Sequence, residues 1–124
     1  VSRILIVDDD PHIVRMLSDV LTDEGYEVTT ATQSLRAFDR AKESQPDLIL
    51  MDIMMPYLDG IDQIKLLSLD DDLKDIPIIV ITAKTNALEG IDDLRALRIV
   101  DHLFKPFEIV DLLDKIQANV KSPT

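Results

Sequence analysis

Cysteine and tryptophan are absent from this 124-residue chain, and glycine occurs only three times. The lack of cysteine excludes disulfides, thiol catalysis and thiolate metal sites, and a cytoplasmic location fits it. Gly25, Gly60 and Gly90 are too scattered for a glycine-rich phosphate loop, which removes nucleotide binding of the P-loop or dinucleotide kind. No apolar run approaches the roughly 18–20 residues of a membrane span, and the first residues do not read as a signal peptide. Positive charge is scarce as well: 13 Lys and Arg stand against 24 Asp and Glu, giving a net charge of −11 and a pI near 4.4. Such a surface repels polyanions, so direct binding of DNA or RNA by this domain is not expected.

Hydrophobic residues make up 46% of the sequence, ordinary for a globular protein, and the length suits one domain with its own core. We expect that domain over residues 1–120. Lys121-Ser122-Pro123-Thr124 reads as a polar tail of the kind that opens a linker. With Val1 in place of an initiator methionine, the sequence reads equally as a stand-alone domain or as a piece of a longer protein.

Asp10-Pro11 reads as an N-cap followed by proline at the first helical position. Ile13, Met16, Leu17, Val20 and Leu21 then form one helical face, stopped at Gly25. Glu27 to Ala31 is rich in β-branched residues and predicts a strand. Leu35, Phe38 and Ala41 predict a short second helix, and Ile61, Ile64 and Leu67 a third. Leu88, Ile91, Leu94 and Leu97 predict a fourth, and Ile109, Leu112, Leu113 and Ile116 a fifth. Between these lie Ile4–Val7, Leu48–Met51, Ile78–Ile81 and a brief stretch at His102–Phe104. The longer three are too short for helices and do not alternate, as suits strands buried on both faces. Five strands alternating with five helices imply an α/β fold, a doubly wound parallel sheet covered on both sides.

The apolar runs end in polar residues: Asp8-Asp9, Asp52, Thr82 and Lys105. In a parallel sheet these ends share one edge, where open α/β sheets bind ligands. Clustered carboxylates repel one another, and a divalent cation relieves them. Mg²⁺ suits the case because it takes few carboxylate oxygens and completes its shell with water and phosphate oxygens. Asp52 then has a rationale as nucleophile toward a phosphoryl group. Lys105 can neutralise one non-bridging oxygen and Thr82 can donate to another.

Taken singly, Asp52 reads as a turn residue, Thr82 as a helix N-cap and Lys105-Pro106 as a surface turn. Their coincidence at the ends of separate strands favours a shared site. Asp70-Asp71-Asp72 lacks the alternating acids, central glycine and closing glutamate of a calcium loop, and reads as a solvated charge run. His12 and His102 have no metal-ligand spacing. Met51, Met54 and Met55 read as packing residues.

These motifs carry a resemblance. Ile4-Leu5-Ile6-Val7-Asp8-Asp9-Asp10, Pro46 to Pro56 around Asp52, Asp59-Gly60, Ile81-Thr82-Ala83 and Lys105-Pro106-Phe107 together resemble the response-regulator receiver domains of two-component signalling, from about Arg3 to about Val120. The resemblance implies a flavodoxin-like sheet of strand order 2-1-3-4-5. It implies transfer of a phosphoryl group to Asp52 from a phosphohistidine on a sensor histidine kinase or a histidine phosphotransfer domain. Asp9, Asp52 and the backbone carbonyl of Met54 would ligate Mg²⁺, with Asp8 acting mainly through water. Thr82 would move inward to the phosphoryl group and Lys105 would pair with it. The fourth helix, fifth strand and fifth helix would respond as the output face, which is also where a homodimer would form. The domain would be a switch rather than an enzyme with a turnover substrate.

The sequence departs from the family pattern in places. His102 stands where a rotating aromatic is common, and it reads equally as a half-buried histidine that only packs or as one that swings inward and adds pH sensitivity. Arg98-Ile99-Val100-Asp101 replaces a frequent Gly-Ala-Asp-Asp, and Tyr57 replaces a small residue beside Asp52. Met54 cannot orient an attacking water, nor can Lys84 accept its proton, so slow self-dephosphorylation is expected. Two other functions remain in view. A magnesium-dependent phosphohydrolase of the haloacid-dehalogenase kind would need an acid where Met54 stands. A receiver-like interaction module that is not phosphorylated would have no need of the intact acids, Thr82 and Lys105.

Overall fold

The computed structural model of the chain describes residues 2–54, 60–83, 88 and 96–120. Five strands, β1 (Arg3–Val7), β2 (Glu27–Ala31), β3 (Leu48–Asp52), β4 (Ile78–Thr82) and β5 (Ile99–Phe104), pair in parallel in the order β2-β1-β3-β4-β5. This is the order the resemblance implied. The helices are α1 (Pro11–Asp23), α2 (Ala37–Ser44), α3 (Gly60–Ser68) and α4 (Ile109–Asn119), with a 3₁₀ turn at Ser34–Arg36.

Four α-helices thus stand among the described residues where five were expected. Most of the stretch from Leu88 to Leu97 lies outside them. Its two ends, Leu88 and Leu97, are half-buried against the core. The expected fourth helix thus falls largely outside the described residues, and the expected fifth is α4.

The sheet's alternation divides the core. Leu5, Val7, Ile49, Met51, Ile78 and Val80 face α2 and α3, meeting Ala37, Ala41, Ile64 and Leu67. Ile4, Ile6, Leu48, Leu50, Ile79 and Ile81 face α1 and α4, meeting Val14, Leu17, Leu21, Leu112 and Ile116. β3 and β4 are buried along their whole length, the reason their sequences show no polar alternation.

Local chemistry sets the ends of α1. The Asp10 carboxylate accepts from His12 N at 2.9 Å, and Pro11 follows as the first helical residue. At the other end Gly25, with φ 96°, lets Gly25 N reach Thr22 O and Tyr26 N reach Leu21 O, both at 3.0 Å.

Some sequence expectations are corrected in detail. Leu35 is 67% exposed, because the chain there is a 3₁₀ turn and α2 begins two residues later, burying Ala37 and Ala41 instead. Val14 was not assigned to the buried face of α1 but joins Leu17 and Leu21 there. Met54 is half exposed and does not pack. β5 is longer than His102–Phe104, starting at Ile99, with an irregularity in its pairing where Ile78 and Ile79 face Ile99 and Asp101. Just before it Arg98 adopts φ 61°, the left-handed conformation that suits the glycine frequent in the family at this place. Its carbonyl accepts from Ile78 N at 2.8 Å and its guanidinium meets Asp75 at 3.1 Å.

Candidate functional site

β1, β3 and β4 lie side by side at the centre of the sheet, so Asp8, Asp52 and Thr82 reach its carboxyl edge together. Asp8 and Asp52 continue the alternation of Ile4–Ile6 and Leu48–Leu50, and Lys105 that of Leu103, which sets all three on the α1–α4 side. Lys105 Nζ donates to Asp8 Oδ2 at 2.8 Å and to Asp52 Oδ2 at 3.1 Å. Those contacts join residues separated by 97 and 53 positions in the chain. Backbone amides hold the remaining oxygens: Asp10 N donates to Asp8 Oδ1, and Met54 N to Asp52 Oδ1, each at 2.9 Å.

Asp8, Asp52 and Thr82 are buried, and Asp9 is exposed at the rim. Oxygens of Asp8, Asp9 and Asp52 all lie within 4.8 Å of one another. Burial pushes the Asp8 carboxyl above its ordinary value; the Asp52 charge adds to that, and the Lys105 and Asp10 hydrogen bonds only partly oppose it. Burial also pulls on Lys105, but its hydrogen bonds to Asp8 and Asp52 prevail and raise it. One ammonium set against three crowded acids leaves negative charge uncompensated. A hard divalent cation with oxygen ligands fits that donor set.

Thr82 enters through its backbone: Lys105 N donates to Thr82 O at 2.9 Å, which ties the end of β5 to the end of β4. His102 lies apart from the acids, exposed on β5, with its ring 5.0 Å from that of Phe104. Tyr57 and Lys84 lie outside the described residues. The sequence reading gave no role to Gly60. A Cβ there would sit 2.3 Å from Ile53 Cα and 2.9 Å from Asp52 O, so only glycine lets α3 start against the backbone that follows Asp52. An Asp-Gly pair shortly after a strand-ending aspartate was the available signal. Asp101 was also missed; it pairs with Lys115 of α4 at 2.8 Å.

The model of the response regulator receiver domain matches residues 4–117. The DNA-binding response regulator MtrA of Mycobacterium tuberculosis is 34% identical over 120 residues, covering 97% of this chain and 51% of that protein. The DNA-binding dual master transcriptional regulator RpaA of Synechocystis is 35% identical over 119 residues, or 94% and 48% of the two chains. The chain thus spans about half the length of the curated relatives it matches. Among solved structures, chemotaxis protein CheY4 of Vibrio cholerae superposes with a TM-score of 0.86 at 32% identity, covering 96% of this chain and 98% of that one. Response regulator TrrA of Thermotoga maritima, solved in complex with Mg²⁺-BeF, gives 0.83 at 30% identity over 97% and 100%. With the family model matching residues 4–117 and the strand order as the resemblance implied, the chain belongs to the response regulator receiver domain family.

Proposed function

We propose that the domain is a phosphorylation-controlled switch that accepts a phosphoryl group on Asp52 from a phosphohistidine. The observation that carries this reading is the double hydrogen bond of Lys105 to Asp8 and Asp52 inside a buried acidic cluster. The P–N bond of the donor breaks as an Asp52 oxygen bonds to phosphorus, and the imidazole leaves with the electron pair and takes up a proton. Asp52 is held ready by the Met54 amide, which restrains its carboxylate without neutralising it. Lys105 neutralises charge on the transferred group, and the Thr82 hydroxyl donates to another of its oxygens. Asp8, Asp9, Asp52 and the Met54 carbonyl would hold Mg²⁺, which when bound supplies charge neutralisation to the acids and the phosphoryl oxygens. The likeness to TrrA in its Mg²⁺-BeF complex supports the same assignment.

The donor would be a sensor histidine kinase or a phosphotransfer domain. The output would run through β5 and α4, where Asp101–Lys115 and the His102–Phe104 ring pair lie. DNA binding, named for the longer relatives, would belong to other parts of such a protein, since this domain carries a charge of −11.

Incubation with a small phosphodonor and Mg²⁺, read by intact mass, tests the proposal. Wild type is expected to gain one phosphoryl group, and Asp52→Ala none. Equal labelling of both would refute Asp52 as the acceptor, and labelling of neither would favour an interaction module that is not phosphorylated.

A further inference from the structure

A second hollow opens at the carboxyl edge of the sheet, around the end of β2, next to β1 and its acids. It measures about 380 Å³ and is lined by Thr30, Ala31, Thr32, Gln33, Arg36 and Arg40. Its chemistry is the reverse of the chain's as a whole: at a net charge of −11, two guanidinium groups, two hydroxyls and an amide line it, with no carboxylate among the described lining residues. Arg40 is steadied by its Nε, which donates to Thr30 O at 3.2 Å. Its only ion pair among the described residues is a long, exposed one, with Nη1 3.7 Å from Glu43. The Arg36 side chain has no hydrogen bond or ion pair among the described residues.

We infer that this hollow is a binding subsite for a small phosphate-class oxyanion. Guanidinium groups offer planar, bidentate donors matched to tetrahedral oxyanions, and the threonine hydroxyls and Gln33 amide add neutral donors. A predominantly polar lining gives a carbon-rich ligand little to bury against. A large polyanion would meet the repulsion of the whole surface, whereas charges more than about 8 Å from a small ligand are screened at physiological salt. The hollow also adjoins the acid site through the backbone, because Ala31 O accepts from Asp8 N at 3.1 Å.

The test titrates inorganic phosphate and pyrophosphate, with EDTA present, into ¹⁵N-labelled chain while amide and arginine Nε resonances are followed. Chloride at matched ionic strength and an acidic peptide form parallel arms. Saturable shifts at Thr32, Gln33, Arg36 and Arg40 are expected with phosphate or pyrophosphate. They should weaken by about fivefold in Arg36→Gln and vanish in Arg36→Gln/Arg40→Gln, as loss of charge-assisted hydrogen bonds requires. Arg36→Gln breaks no side-chain hydrogen bond or ion pair among the described residues, so it keeps the test valid if the double variant unfolds. Shifts reproduced by chloride, shifts unchanged in Arg36→Gln, or tighter binding of the peptide than of pyrophosphate would overturn the inference.

Discussion

Lys105 meets Asp8 at 2.8 Å, and Lys115 meets Asp101 at 2.8 Å, yet the two carboxyls respond in opposite directions. Burial pushes both up. At Asp101 the hydrogen bonds from Lys115 and the His102 amide outweigh it and the carboxyl titrates below its ordinary range; at Asp8 burial wins and the carboxyl titrates above it. Depth and company make the difference. The Lys115–Asp101 side chains are each 31% exposed, while the Asp8 side chain is 3% exposed and has Asp52 beside it, sharing the same ammonium. The edge pair is complete as it stands and clamps β5 to α4. The central group holds an excess of negative charge in a dry place, the condition that favours a divalent cation and then a phosphoryl group.

Removing each ammonium gives the largest contrast. Lys105→Met leaves two buried carboxylates without their cation and is expected to cost about 3–5 kcal/mol, as breaking a buried pair does. Lys115→Met should cost only about 0.2–1 kcal/mol. Urea unfolding in EDTA measures both, and millimolar Mg²⁺ should restore part of the loss in Lys105→Met alone. Similar costs for the two variants would show that the pocket carries no special charge excess.

Neutralising the two acids gives a smaller contrast of opposite sign. The raised Asp8 carboxyl contributes stability that is fully present below pH 3.8 and is lost as pH rises through its folded value. Asp8→Asn should therefore be more stable than wild type at neutral pH, by about 1 kcal/mol in EDTA, with the gain fading toward pH 3.8. The depressed Asp101 carboxyl contributes stability present above pH 3.8 and lost as pH falls through its folded value. Asp101→Asn should therefore be less stable by a few tenths of a kcal/mol at neutral pH, and equal to wild type in strong acid. Unfolding midpoints followed from pH 7 into acid decide it; slopes of the same sign for both variants would break the contrast.

This difference was only partly legible in the sequence. The central strands declared themselves through unbroken apolar runs, because burial on both faces leaves no polar positions, and each run ended in the residue that reaches the site. The site's members followed from parallel topology alone, which puts every such end on one edge. The strand order did not follow from periodicity and came from the family resemblance. β5 was read too short: it is an edge strand of mixed burial with irregular pairing, so neither a continuous run nor clean alternation marks its start at Ile99. Leu35 misled because spacing reports a helical face only where the chain is α-helical, and there it is a 3₁₀ turn. The Asp101–Lys115 clamp spans 14 residues between two elements, and no local rule reveals such a pair.

A last expected effect, on the lifetime of the phosphorylated state, lies at the mouth of the pocket, where the fixed acids give way to solvent. Met54 contributes its amide to Asp52, but its side chain is 50% exposed and offers no useful donor or acceptor to a water approaching the phosphoryl group. The pocket would therefore favour gaining the group over losing it to water, and the phosphorylated state would persist. Met54→Asn keeps the amide contact and adds a side chain able to orient that water. One neutral hydrogen bond made in the transition state should lower the barrier by about 0.7 kcal/mol, or speed decay about threefold. Intact mass followed over time after removal of the phosphodonor measures it, with the unfolding midpoint of the variant as a check on the pocket. If decay is unchanged while the fold is intact, hydrolysis is limited elsewhere, and the buried acids and Lys105 rather than the residue at the mouth set the lifetime of the switch.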